Sequence, residues 1–67
     1  MADKVEMAVI EARDNAADTA REAGIMMGTQ EASNFVFTHV MESADIYADT
    51  YGVPVAEFIA YHRGIEV

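Results

Sequence analysis

Two series of carboxylates are the side chains best placed to do chemistry. Glu11, Asp14, Asp18 and Glu22 follow one another at three, four and four residues, a spacing that lines one face of a helix. Glu42, Asp45 and Asp49 repeat the pattern at three and four. Along a helix such neighbours sit about 5 to 6 Å apart, where like charges repel one another slightly. Arg21, three residues from Asp18, relieves the first row, but no Lys or Arg occurs between residues 25 and 51 to relieve the second. Such rows present anionic groups at a regular spacing, as nucleic acid does, and suit recognition of a basic protein surface. The plainer role for the same residues is a solvated helix face.

Other chemistries find less support. His39-x-x-Glu42-x-x-Asp45 puts three candidate metal ligands along one side of a helix, but metal sites in helical bundles also draw ligands from other helices. His62 is the only other histidine, and there is no cysteine for a thiolate zinc site or a disulfide. No nucleophile stands in a recognisable setting, and the glycine-containing turns do not match a phosphate-binding loop. A core this thin leaves little room for a substrate cavity of ~300 Å³. The expectation is a protein without catalytic, metal or cofactor site, in which His39 and His62 are ordinary polar residues.

Charge separates the classes further. Twelve acidic residues stand against four basic ones, for a formal net charge of -8. Six acids and three bases fall in residues 1–24, four acids and no base in 25–51, and two acids and one base in 52–67. That field repels phosphate backbones and anionic membranes and attracts basic surfaces, though solubility alone would also account for it. No apolar run approaches the ~18 residues of a membrane span. Met1-Ala2-Asp3-Lys4 lacks the basic-then-apolar order of a signal peptide. A cytoplasmic location is the expectation.

The elements that must position these residues are helices. The 67 residues are enough for one domain, whose thin core rests on helix packing. The first helix is expected over 3–24, with Asp3 and Glu6 in capping-box order. Its stripe is Val5, Val9, Ala12, Ala16, Ala20 and Ala23, small enough for another helix to approach closely. Gly24 offers a stop, and Gly28 a later one, since Met27 stays in phase. The second helix begins after Thr29 or Ser33 and runs to Tyr51, with Phe37, Val40, Met41, Ala44, Tyr47, Ala48 and Tyr51 facing inward. Gly52 and Pro54 end it. The third runs from Pro54 to Arg63, closed by Gly64, with Phe58 and Tyr61 inward and a short tail, Ile65 to Val67, beyond. The fold class is therefore all-α: one compact three-helix domain over 1–67.

Residues 44–63 carry a further pattern. Ala48, Gly52, Val53, Phe58 and Tyr61 stand where a helix-turn-helix wants a small residue at the crossing, a glycine in the turn and hydrophobics after it. The segment resembles the helix-turn-helix of bacterial and phage regulators. The resemblance implies a recognition helix, yet its outward residues are Val55, Ala56, Ile59, Ala60 and Arg63. Bases are read by Arg, Lys, Asn or Gln, and an acidic module lacks the electrostatic term of DNA affinity.

Several apolar residues fall outside the inward faces: Met7 and Ile10 on the first helix, Phe35 and Ile46 on the second, Val55 and Ile59 on the third. Apolar residues flanked by acids suit an interface, of which a homodimer is the simplest form. In size and charge the chain is similar to phage-encoded inhibitors of host defence, such as anti-CRISPR and anti-restriction proteins. That similarity implies a non-catalytic inhibitor that covers a basic surface of a nucleic-acid-binding protein in the manner of a DNA mimic, without itself binding nucleic acid or membrane. The residues expected to meet the partner are Glu11, Asp14, Asp18, Glu22, Phe35, Glu42, Asp45, Ile46, Asp49 and Ile59. A small helix-turn-helix regulator or its accessory subunit, and a structural adaptor, are the alternatives.

Overall fold

The structure is a computed structural model and describes residues 3–66. It is all-helical, with α1 at Lys4–Glu22, α2 at Gln30–Glu42, α3 at Ala44–Tyr51 and α4 at Val55–Glu66. Asp3 caps α1 by accepting a hydrogen bond from the Val5 amide at 3.0 Å, and Thr29 caps α2 through the Ala32 amide at 3.2 Å. These bonds satisfy amides that a helix start leaves without a carbonyl partner. Of the two candidate starts for the second helix, Thr29 is the one used.

Glycine ends α1 and α3 in the same way. The Ile25 amide reaches back to the Ala20 carbonyl and the Gly24 amide to that of Arg21. After α3 the Val53 amide reaches Ala48 and the Gly52 amide reaches Asp49. Both are Schellman closures, which need a left-handed residue; Gly24 has φ 79° and Gly52 φ 67°. A methyl group on Gly52 would meet nothing within 4 Å, so a substitution there is penalised by the backbone alone. Gly52→Ala is expected to lower stability by about 1–2 kcal/mol, read as a lower urea midpoint with unchanged helical content.

The expected second helix is two helices. Ser43 separates them with φ -101° and ψ 8°, and its hydroxyl donates to the His39 carbonyl at 2.9 Å. A serine bonded to the carbonyl four residues back bends a helix. The bend also has a packing consequence. The buried series Ala32, Val36, Val40, Ala44 and Ala48 advances by four each time, and a straight helix would rotate that series by about 40° per step. Turning the axis at Ser43 keeps both halves on α1. The inward face is therefore displaced from the expected one: Val36 is buried, whereas Phe37, Met41, Tyr47 and Tyr51 are half-buried.

Alpha-1 touches each of the other three helices through Ala8, Val9, Ala12, Ala16 and Ala20. Ala23, at the helix end, is exposed, and Val5 is half-buried. Phe58 is the one large apolar side chain among the described residues that is fully enclosed. Its neighbour on the buried stripe is His62, four residues on, rather than Tyr61, which is 37% exposed. The helix does not close at Gly64 but continues through Ile65 and Glu66, while Val67 lies outside the described residues. Pro54 precedes α4 and its carbonyl accepts from the Glu57 and Phe58 amides, both at 3.1 Å.

Candidate protein-binding surface

All seven carboxylates of the two rows are exposed, but they do not form two uniform stripes. On α1 the row lies away from the alanine seam. Asp18 pairs with Arg21 at 2.8 Å; with both side chains well exposed, such a pair adds little stability. Glu11 accepts a hydrogen bond from the Tyr51 hydroxyl, and Asn15 donates to that of Tyr47, so the edge of the row is tied to α3. Asp14 faces the other way, onto a recess lined by Met27, Thr29, Ala32 and Ser33. Glu22 closes the row in the last turn of α1.

The bond to Glu11 raises the Tyr51 hydroxyl above its ordinary value near 10, because the phenolate would face a carboxylate. Burial and the charge of Glu11 act in the same direction. A folded-state value above the unfolded one stabilises the fold fully below the unfolded value and is lost as pH rises through the folded one. Phenolate absorbance during alkaline titration, with Tyr51→Phe isolating this residue, should therefore place Tyr51 late. Glu11→Gln should bring it back toward ordinary tyrosine. Tyr61 is raised as well, chiefly by burial and then by the charge of Glu6.

The second row is split by the bend at Ser43. Glu42, at the end of α2, belongs to the same surface groove as Phe35 and His39. Asp45 and Asp49, on α3, rim a separate groove with Ile46, Thr50, Val53 and Val55. This second groove joins carboxylates to apolar surface: Ile46 is 67% exposed and Val55 38%. Met7 and Ile10 are exposed as well. Phe35 is half-buried, its ring stacked on that of His39. Ile59 departs from the outward position expected of it. It is half-buried and packs against the core, because Phe58 and His62 rather than Phe58 and Tyr61 define the inner side of α4.

His62, expected to be an ordinary polar residue, belongs to the interior instead. It is fully buried, lies against Phe37 with ring centroids 4.8 Å apart, and has Nδ1 3.4 Å from the Arg13 guanidinium. Guanidinium only donates, so Nδ1 is the acceptor side of that contact. The signal was present in its position four residues after Phe58.

Among the described residues, no group of three or more His, Asp or Glu side chains is gathered to hold a metal ion; the bend separates His39 and Glu42 from Asp45. No helix among them is long and apolar enough to cross a membrane. Comparison with known protein families, curated protein sequences and solved structures finds no match to this chain.

Proposed function

We propose that the protein is a non-catalytic, cytoplasmic binding module that covers a basic, nucleic-acid-binding surface of another protein. The observation that carries the reading is the groove along α3 and the start of α4. There Asp45 and Asp49 flank an apolar strip containing Ile46 and Val55, in a stretch of chain with no Lys or Arg. Apolar contact at the centre with charges beside it is the usual anatomy of a specific interface. The α1 row adds further negative field and steers a basic partner toward the molecule. An inhibitor of the type that phages direct against host defence fits this size and charge. A photo-crosslinking residue at position 46, introduced in the native cell, should trap a nucleic-acid-binding protein through a basic contact peptide. Trapping only a second copy of this chain, or a contact peptide without basic residues, would remove the proposal.

A helix-turn-helix regulator is the second reading, favoured by the three-residue turn between α3 and α4 and by left-handed Gly52 within it. Ala48 and Phe58 lie in the core where that motif wants them. Against it stands the outer side of α4, where Val55, Ala56 and Ala60 are exposed and carry no hydrogen-bonding group for a base edge. Fluorescence anisotropy with random duplex DNA at physiological salt should show no binding, because electrostatics supplies essentially all non-specific affinity. A micromolar complex with a steep salt dependence would favour the regulator.

A further inference from the structure

We propose that the outer face of α2 is a second docking site, and that its occupant is an arginine-bearing segment of a protein partner. Glu31, Phe35, Thr38 and Glu42 follow at four, three and four residues and form one stripe, away from the buried stripe of Ala32, Val36 and Val40. Ile25, from the loop before the helix, adds apolar surface to the same groove. Within it the rings of Phe35 and His39 lie nearly parallel, with centroids 5.6 Å apart and 9° between planes. The groove thus holds a stacked aromatic pair beside Ile25, with Asn34 and Thr38 also in its lining and a carboxylate toward each end.

Charge selects the occupant. A phosphate or an acidic peptide would meet Glu31 and Glu42 and the overall charge of -8. A second copy is opposed in the same way, since antiparallel pairing of two α2 helices would set Glu31 of one against Glu42 of the other. A basic segment meets no such opposition. Among basic side chains, guanidinium is planar, stacks on aromatic faces and forks onto a carboxylate, whereas an ammonium is a compact and strongly hydrated point charge. Phe35 with Glu31 or Glu42 offers both halves of that recognition. The site is distinct from the groove of Asp45, Ile46 and Asp49 and stands whether or not that groove serves the function proposed above.

The test uses the full chain and a short amphipathic helical peptide of leucine and arginine, followed by amide NMR. Shifts should concentrate at residue 25 and residues 31–42. Phe35→Leu, which keeps an apolar side chain but removes the aromatic face, should weaken the peptide about three- to fivefold. Glu42→Gln should weaken it too, Glu57→Gln, exposed and outside both grooves, should leave it near the wild-type level, and a lysine version of the peptide should bind less well than the arginine one. Shifts confined to the groove of α3 and α4, equal affinity for Phe35→Leu, or a free protein that already dimerises through α2 would each overturn the proposal.

Discussion

Phe58→Ala is expected to leave the chain largely unfolded at room temperature. Truncating a buried Phe to Ala costs about 3–5 kcal/mol, and a single core in a domain below ~70–80 residues rarely supplies more than that in total. Phe58 has no understudy. The rest of the fully enclosed apolar core is alanine and valine, and the larger side chains packed against it, Tyr47, Tyr51 and Ile59, are only half-buried at its margin. Phe58→Leu separates packing from aromaticity: a volume-conserving exchange usually costs less than ~1.5 kcal/mol, and this variant should remain folded. Far-ultraviolet circular dichroism during urea titration gives both results. Cooperative unfolding of Phe58→Ala at a midpoint close to wild type would contradict the assignment of the core.

The second large effect is on binding and leaves the fold alone. Asp45→Asn combined with Asp49→Asn should change stability by no more than ~0.5 kcal/mol, as exposed substitutions usually do. Relief of their mutual repulsion adds a small gain at i,i+4 spacing. Affinity for the partner trapped at position 46 should instead fall by on the order of 2 kcal/mol, about 30-fold. The salt dependence should flatten with it. The same neutralisation at Asp14 and Asp18 should act mainly on the association rate, because neither residue lines the groove that holds Ile46. Glu11 belongs to neither group: its bond to Tyr51 gives it a structural role, so Glu11→Gln should disturb the seam between α1 and α3 as well.

The parts of the molecule legible in the sequence were those set by local rules. The alanine series of α1 has a helical period, Gly24 and Gly52 stand where left-handed closures need them, and Pro54 marks the entry to α4. The break at Ser43 was hidden because the apolar pattern passes through it without interruption. Whether a serine bonds back to its helix or faces water depends on what the helix must pack against, here α1. That one bend accounts for two further departures. It moves the inward face from Phe37 to Val36, and it divides Glu42 from Asp45 and Asp49. Gly64 was read as a stop, yet a helix interior tolerates glycine at a cost of roughly 0.5–1 kcal/mol. Ile59 was placed outward and the burial of His62 was missed, since choosing Tyr61 as the partner of Phe58 rotates α4 by one residue. For the candidate surface, the identity of the exposed acids was readable from spacing, but their division between separate grooves was not.

The most direct test of the central claim is a competition measurement. The protein trapped through position 46 is bound to its own labelled nucleic acid, and the full chain is added while anisotropy is followed. Wild type should displace the label in proportion to its concentration, and Asp45→Asn with Asp49→Asn should do so only at about 30-fold higher concentration. A label that stays bound at saturating wild-type protein, or that is displaced equally well by the double variant, would contradict the account.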